Sequence, residues 1–325
     1  MAKIRLILFN FLEKNLSFFS KLGINRKTPG VLRVYNFLFK KFWPFNEIIE
    51  TQGSRMYVNI DGEDISMRNT FKGYASNLIH EKNTTDLFKK VIKEGNVVVD
   101  LGANIGYFTL LAAKLVGPEG RVFAFEPEPK NYSYLIKNIE LNNYNNIQFF
   151  QKAVADKNGK TRLYICDYDT GHHTINQYNG IEAYSRGRLT KEHSIEVETI
   201  TLNDFFKNRE ETIDVIKMDV EGAEALALAG MDKILGKNKK LKMFIEFFPL
   251  LIEKMGSSPD EFIRKLLENY GFSIYMILGD YDAKKGGIVK ANSIDEIMSF
   301  HQKKEDHINL FLTRGNANEM GFEKN

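Results

Sequence analysis

The order of apolar and polar positions predicts alternating strands and helices from about residue 80 onward. Residues 97–99 are three β-branched residues in a row, which is typical of a strand buried in a parallel sheet. Apolar residues at helical spacing over 107–115 predict a helix that follows this strand after a short glycine turn. Residues 121–125 then predict a second strand. Strand, turn, helix and strand in this order indicate an α/β protein with a mostly parallel sheet.

The same pattern continues along the chain. Strands are predicted at 147–150, 163–166, 195–200, 214–218, 241–247, 272–278 and 308–313, and helices at 131–142, 223–235 and 260–269. Before the first strand, Thr84 or Thr85 is expected to cap a helix that ends near Gly95. Residues 279–303 are polar, contain glycines and are predicted to be irregular.

Three shorter regions flank this domain. Residues 55–68 alternate around an Asp61-Gly62 pair, which is a strong signal for a hairpin turn. We therefore expect a helical extension at 1–50, a hairpin or lid at 51–80, the main domain at 81–315 and a tail at 316–325. At 325 residues the chain is long enough for a full core and for such additions.

The N-terminal extension is predicted to be a basic amphipathic helix. Residues 1–43 hold nine Lys or Arg and one acid, so they carry a net charge of +8 in a chain of net charge +3. Two interpretations stay open: the helix caps the main domain, or it lies on an anionic lipid surface. Residues 1–43 are thus the candidate for peripheral membrane contact, and no apolar run reaches the roughly 18 residues of a transmembrane helix.

The cysteine content and the hydrophobicity of the first residues indicate the cellular compartment of the protein. Cys166 is the one cysteine, which excludes an internal disulfide and a cysteine cluster for structural zinc. The first apolar stretch is interrupted by Arg5 and Asn10, which argues against a signal peptide. We expect a cytoplasmic protein, located at the inner membrane face if the basic helix meets lipid.

The turn after the first strand carries the first chemical signal. Asp100, Gly102 and Gly106 make a DxGxxxG pattern, which differs from the dinucleotide fingerprint in glycine spacing and in the acid. Glycines there let the backbone adopt positive φ and approach a ligand closely. The pattern resembles motif I of class I S-adenosylmethionine (SAM) methyltransferases. Glu126, at the end of the second strand, can accept hydrogen bonds from both ribose hydroxyls of such a ligand.

A second chemical signal lies at 213–224, IDVIKMDVEGAE. Asp219 stands at a strand end, Glu221 follows two residues later, and Lys217 interrupts the apolar strand. Parallel strand ends on both sides of a switch point face one crevice, so these acids should lie near the glycine turn. One interpretation is structural: the acids pair with Lys217 or stabilise the dipole of the following helix. The other is functional: they orient a substrate hydroxyl and the amino group of SAM, or they accept a proton. Asp219 and Glu246 could also share a divalent cation, although two acids alone do not make a metal site.

Two further positions have open interpretations. Asp156 follows the third strand, where an acid can accept the adenine amino group, but Asp and Gly are also ordinary turn residues. Residues 167–194 form a long polar stretch that includes His172 and His173. Long loops are often functional, so His172 could serve as a base, whereas adjacent histidines in a polar loop are more commonly solvated.

Taken together, VVVDLGANIGYFTLLAA, FAFEPEP, QKAVAD and IDVIKMDVEGAE resemble the FkbM family of SAM-dependent methyltransferases. The resemblance covers roughly residues 80–250. It implies SAM as cofactor and a class I Rossmann-like fold whose seven strands follow the order 3-2-1-4-5-7-6, with the last strand antiparallel. The expected binding residues are Asp100, Gly102, Ala103, Asn104, Gly106, Glu126, Ala153, Val154 and Asp156. Asp219 and Glu221 are expected at the methyl-transfer site, with His172 as a further catalytic candidate.

The resemblance also implies O-methylation of a hydroxyl on a sugar, a glycan or a related small molecule. A histidine often follows the acid of the fifth strand in this family, but Phe247 occupies that place here. Two alternatives remain. One is a non-catalytic SAM-binding or membrane-associated scaffold, which would be supported if structural lysines neutralised the crevice acids. The other is a nucleic-acid methyltransferase, which the net acidic charge of the chain after residue 43 disfavours.

Overall fold

The computed structural model describes residues 37–38, 41, 48–57, 79–165, 173–175, 194–281, 286–299 and 307–314. The chain divides into two compact units, residues 1–78 and 79–325. The amphipathic helix predicted at the N-terminus and the tail predicted at 316–325 lie outside the described residues. Within the described part of the chain, no helix is both long enough and apolar enough to cross a membrane.

The first unit contains a two-stranded antiparallel hairpin. Strand β1 covers Ile48–Thr51, strand β2 covers Ser54–Tyr57, and Ile49 pairs with Met56 across them. Gln52 and Gly53 form the turn with φ of 52° and 75°. This hairpin precedes the one predicted around residues 61–62, a turn that falls outside the described residues.

The second unit contains eleven further strands among its described residues, and they pair into two sheets. They are β3 Val97–Leu101, β4 Arg121–Phe125, β5 Ile147–Phe150, β6 Ala153–Val154, β7 Gly159–Tyr164, β8 Ser194–Ile200, β9 Val215–Met218, β10 Lys242–Phe247, β11 Ser273–Leu278, β12 Gly287–Lys290 and β13 Ile308–Thr313. Its helices are α1 Lys82–Val91, α2 Tyr107–Val116, α3 Pro129–Asn142, α4 Leu202–Phe205, α5 Glu224–Ala229, α6 Asp232–Lys237, α7 Pro249–Lys254, α8 Pro259–Arg264 and α9 Ile294–Ser299.

The main sheet has eight strands in the order β12-β11-β13-β10-β9-β3-β4-β5. Strands β10, β9, β3, β4 and β5 are parallel neighbours. Strand β13 lies between β10 and β11 and is antiparallel to both. This arrangement confirms the expected order 3-2-1-4-5-7-6 with a reversed last strand. The sheet also has an eighth strand, β12, which pairs with β11 on its outer side.

The central strands of the main sheet are buried. Val98, Val99 and Ile216 are completely buried, as the run of β-branched residues predicted. A smaller sheet in the order β6-β8-β7 is separate from the main sheet. In it, Ala153 pairs with Thr199 of β8. The small sheet thus begins only a few residues after β5 in the chain.

The prediction for the start of the first helix was wrong. Helix α1 begins after Glu81, so neither Thr84 nor Thr85 is its cap. Instead, the Thr84 hydroxyl donates a hydrogen bond to Asp280 Oδ2 (2.6 Å), and the Thr85 hydroxyl donates to the His80 carbonyl (2.7 Å). These partners occupy the hydroxyls that a cap would have used.

Other element boundaries also differ from the predictions. The helix expected at 223–235 is two short helices, α5 and α6, that meet near Gly230. A Cβ at Gly230 would lie 2.0 Å from the Ala155 carbonyl oxygen, so the chain passes too close to residue 155 there for a side chain. Helix α8 continues as a π-helix over Lys265–Asn269. Residues 279–303, expected to be irregular, contain β12 and α9.

Candidate active site

The glycine turn after β3 joins three strand ends. The amides of Gly102 and Ala103 both donate to the Phe125 carbonyl at 3.0 Å, which ties the turn to the end of β4. Gly102 has φ of 79°, and a Cβ on it would lie 1.8 Å from the Asp219 carbonyl oxygen. The turn therefore lies directly against the residue that follows β9, as the switch-point argument predicted.

Glu126 is held beside this turn. The Asn104 amide donates to its Oε2 (2.8 Å), and the Glu128 amide donates to its Oε1 (2.9 Å). Asn104 reaches this position with a left-handed φ of 50°, and its side-chain Oδ1 is buried with no hydrogen-bond partner among the described residues. Burial raises the pKa of Glu126 to about 8, although the two amide hydrogen bonds favour its charged form.

Asp100, Ala103 and Gly106 do not line the pocket beside the turn. Asp100 is buried, and its Oδ2 accepts a hydrogen bond from the Thr109 hydroxyl at 2.6 Å. Burial raises the pKa of Asp100, although Lys217 opposes the shift. Gly106 precedes α2 with φ of 99°. In the structure Asp100 and Gly106 therefore fix the turn and the helix, and their contact with a cofactor stays a prediction.

An open pocket of about 610 Å³ lies at this edge of the sheet. Its lining residues are Gly102, Asn104, Phe125, Glu126, Pro127, Asn131, Lys152, Ala153, Val154, Leu163, His173, Ile175, Asp219, Val220, Glu221 and Ala223. The pocket joins residues from the glycine turn, the small sheet and the turn after β9.

The structure separates the remaining predicted residues. Ala153 and Val154 line the pocket at the wall formed by β6. Asp156 is exposed in the turn that follows and is not part of the lining, a position that favours the turn interpretation over contact with adenine. His172 lies outside the described residues, whereas its neighbour His173 lines the pocket.

Asp219 and Lys217 form an ion pair at the end of β9. Lys217 Nζ donates to Asp219 Oδ2 at 2.9 Å, and the Lys217 side chain is 7% exposed. Although burial opposes ionisation, Lys217 holds the pKa of Asp219 at about 2. Burial also opposes the charge of Lys217, but Asp219 and Glu81 outweigh it and raise the pKa of the ammonium. The structural lysine–carboxylate pair that the sequence suggested is thus present, and it keeps Asp219 charged.

Glu221 lies in a strained turn that two neighbours stabilise. It has a left-handed φ of 51°, and its carbonyl accepts a hydrogen bond from the Thr174 hydroxyl at 2.8 Å. The Gly222 amide donates to Glu224 Oε1 at 3.1 Å, and burial raises the pKa of Glu224 to about 8. Glu221 is itself buried and lines the pocket, so it faces the same space as Asp219.

A third carboxyl, that of Glu246 in β10, completes a cluster of three carboxyls with Asp219 and Glu221. Side-chain oxygens of Asp219, Glu221 and Glu246 lie within 4.8 Å of one another. The Tyr281 hydroxyl donates to Glu246 Oε1 at 2.8 Å, and His307 Nε2 lies 3.6 Å from the same oxygen. Three such carboxyls could in principle share a divalent cation, but Lys217 already supplies a positive charge to the Asp219 end of the group.

Several residues around this cluster of three carboxyls were not predicted from the sequence. Asn309 pairs with Glu246 in the β10–β13 register, and its amide donates to Glu81 Oε2 at 2.9 Å. His307 precedes β13 and supplies a histidine beside the fifth-strand acid, although Phe247 follows that acid in the sequence. These positions depend on the reversed strand β13, and no local spacing connects them with residue 246.

The chain is similar in sequence to known methyltransferases. Residues 100–274, more than half of the chain, match the family model described as a methyltransferase FkbM domain. Methyltransferase 1 of Beauveria bassiana is 28% identical over 189 residues, which are 52% of this chain and 76% of that protein. The 2-O-methyltransferase NoeI of Sinorhizobium fredii is 25% identical over 191 residues, which are 55% of this chain and 76% of that protein.

Among solved structures, the methyltransferase FkbM of Methylobacillus flagellatus aligns with 94% of this chain and 58% of its own chain. The sequence identity in that alignment is 13% and the TM-score is 0.37.

Proposed function

Because this chain belongs to the FkbM family of SAM-dependent methyltransferases, we propose that it methylates a hydroxyl of a sugar, a glycan or a related small molecule. The observation that carries the proposal is the group of three carboxyls, Asp219, Glu221 and Glu246, beside the glycine turn. Carboxylates accept hydrogen bonds, and hydroxyls are the donors that a sugar offers in number.

The residues of the pocket fit the cofactor. Glu126 is the ribose acceptor, because its two oxygens are aligned by backbone amides and keep further acceptor capacity. Gly102 keeps side-chain atoms out of the turn, and Ala153 with Val154 offers an apolar wall for a flat ring. When bound, SAM supplies an electrophilic methyl group on a cationic sulfur. Asp219 in the pocket wall favours such a positive charge.

Asp219 and Glu221 are suited to orient the acceptor. With a pKa of about 2, Asp219 is ionised at any physiological pH and can accept a hydrogen bond from a substrate hydroxyl. The Lys217 pair fixes its position, since the ammonium donates to one carboxylate oxygen of Asp219. Holding a reacting oxygen in line with the methyl group contributes several kcal/mol to catalysis.

Two observations support a neutral, hydroxyl-bearing acceptor over a nucleic acid. The negative charge of the three-carboxyl cluster repels phosphate, and contacts to phosphate dominate the affinity of proteins for nucleic acids. The relative NoeI is named a 2-O-methyltransferase, a name that states transfer to an oxygen atom. These observations support the acceptor class and leave the individual sugar open to experiment.

The proposal is tested by methyl transfer from radiolabelled SAM to a panel of methyl glycosides, oligosaccharides and total RNA. We expect a labelled methyl ether on a glycoside or oligosaccharide, identified by mass spectrometry. Asp219→Asn should lower the rate by about tenfold or more, because it weakens the orientation of the acceptor. The control Glu253→Gln, at an exposed position on α7, should not. Label on RNA, or on nitrogen, would contradict the proposal.

A further inference from the structure

The cluster of three carboxyls beside the pocket is too crowded for all three to ionise easily. The oxygens of Asp219, Glu221 and Glu246 lie within 4.8 Å of one another, and Glu81 adds a further carboxyl nearby. Glu221 is buried, and Asp219 and Glu246 are partly buried, so ionisation of all three carboxyls at such distances is disfavoured. This crowding favours retention of a proton within the cluster, and the neighbours of each carboxyl determine which one is the best site for it.

Lys217 lies at one end of the group and makes its ion pair with Asp219. Glu246 has different partners, the Tyr281 hydroxyl at 2.8 Å and His307 at 3.6 Å. Burial, together with the charge of Asp219, raises the pKa of Glu246 well above its ordinary range. Without a bound cofactor, burial and the neighbouring charge of Asp219 therefore favour the protonated form of Glu246, whereas Asp219 is paired with Lys217.

Several titratable or charged groups surround Glu246 among the residues that the structure describes. These groups are Lys217 and Asp219 of β9 and its end, Glu221 of the following turn, His80 and Glu81 before α1, Tyr281 after β11 and His307 before β13. Among them Lys217 is the permanent cation, so an added positive charge in the adjoining pocket would change the balance strongly.

We propose that Glu246 is the general base of the methyl transfer and that it releases its proton when the cationic cofactor binds. The inference rests on the proposed hydroxyl acceptor. Asp219 and Glu221 line the pocket and also belong to the cluster of three carboxyls. A positive charge in the pocket therefore favours ionisation of the third member of the cluster, Glu246. Glu246 then receives the acceptor proton as an ionised carboxylate.

The transfer step balances without a further reactant. The acceptor oxygen forms a bond to the methyl carbon while the carbon–sulfur bond breaks, and that electron pair remains on sulfur. The hydroxyl proton moves to an oxygen of Glu246. Tyr281 and His307 are positioning residues for this carboxylate, since they contact it through one oxygen.

The release of this proton can be tested without any acceptor. Titration calorimetry at pH 7 in buffers of different ionisation enthalpy counts the protons released on binding SAM and on binding S-adenosylhomocysteine, which lacks the sulfonium charge. Wild type, Glu246→Gln and the exposed control Glu253→Gln are compared. Glu126 and the ligand amino group titrate equally in all three proteins, so they cancel in the comparison between proteins.

We expect wild type and Glu253→Gln to release up to one proton more than Glu246→Gln on binding SAM, with no such difference for S-adenosylhomocysteine. Equal proton counts in all three proteins would overturn the proposal. Loss of SAM binding by Glu246→Gln would overturn it too, because Glu246 would then be a binding residue. A failed acceptor screen would instead count against the proposed substrate class, since this experiment uses no acceptor.

Circular dichroism and thermal melting of each variant show whether it is folded. Glu246→Asp provides a second test if the glutamine variant is not folded. It keeps a carboxyl in the group and should retain SAM-linked proton release, and loss of that release in a folded Glu246→Asp would contradict a role based on charge.

Discussion

Lys217 Nζ lies 2.9 Å from Asp219 Oδ2 and 4.8 Å from the centre of the Phe108 ring, inside the sheet at the end of β9. Burying an ammonium ion destabilises a fold unless a carboxylate neutralises it, so the charge of each partner offsets the desolvation cost of the other. The pair thus couples the stability of the core to the charge state of the pocket.

We expect Lys217→Met to lower the free energy of unfolding by about 2–4 kcal/mol, because it leaves the partly buried Asp219 carboxylate, which is 26% exposed, without its cation. Urea denaturation at pH 7 measures the change. The double variant Lys217→Met/Asp219→Asn should recover much of the loss, since it removes both charges. A single-variant loss below about 1 kcal/mol would contradict a buried, coupled pair.

The same ion pair predicts how the stability of the fold changes as the pH is lowered. The pKa of Asp219 falls from 3.8 to about 2 on folding, so its ionised form stabilises the native state above about pH 4. That contribution is lost as pH falls through about 2. In urea titrations across this range, Lys217→Met should therefore lose less stability on acidification than wild type does. A parallel loss in both proteins would assign the acid sensitivity to other carboxyls.

Gly102→Ala and Gly95→Ala form a matched pair of substitutions. Both glycines have positive φ, 79° and 80°, so alanine strains the backbone at either position. At Gly102 the new Cβ would meet the Asp219 carbonyl at 1.8 Å, whereas nothing lies within 4 Å of it at Gly95. We expect only Gly102→Ala to abolish SAM binding in calorimetry. Equal affinities in the two variants would show that close packing at Gly102 is unimportant.

Glu126 should make cofactor binding depend on pH. Its pKa is raised to about 8 without ligand, and ribose hydroxyls donate best to the ionised carboxylate. The affinity for S-adenosylhomocysteine should therefore rise as pH approaches 8, by at most about tenfold per pH unit, and level off above that.

Calorimetric titrations with wild type, Glu126→Gln and the exposed control Glu119→Gln test this dependence. Glu126→Gln should bind more weakly and lose the slope that wild type and the control share. A slope that persists in Glu126→Gln would assign it to another group.

We also propose that residues 1–43 contact anionic lipid, on the basis of their charge. Lys3→Gln, Lys14→Gln and Lys21→Gln together should reduce flotation of the protein with phosphatidylserine vesicles, and high salt should do the same, because charge attraction is screened. Equal flotation of the wild type and the triple variant would contradict the proposed lipid contact.

The parallel strands and the glycine turn could be predicted because their signals are local. A buried parallel strand is a continuous apolar run, and a charged residue such as Lys217 stands out within it. The acids Asp219 and Glu221 could be placed near Gly102 for a related reason, since strand order alone brings their ends together.

Residues that meet through long-range pairing could not be predicted in this way. Tyr281, His307 and Asn309 reach the surroundings of Glu246 only because β13 inserts between β10 and β11. The resemblance to the FkbM family implied that insertion, but no periodicity in the sequence indicates which side chains it brings beside Glu246. The failed cap at Thr84 has the same origin, because its hydroxyl partner Asp280 is 196 residues away.

The place of β13 between β10 and β11 has a consequence for synthesis on the ribosome. After β10 has emerged and until Ile308–Thr313 follow, β10 presents an edge whose backbone groups can pair with another chain. The growing protein therefore carries an aggregation-prone edge during this interval. Slowing elongation between these two strands should increase the demand of the nascent chain for chaperones.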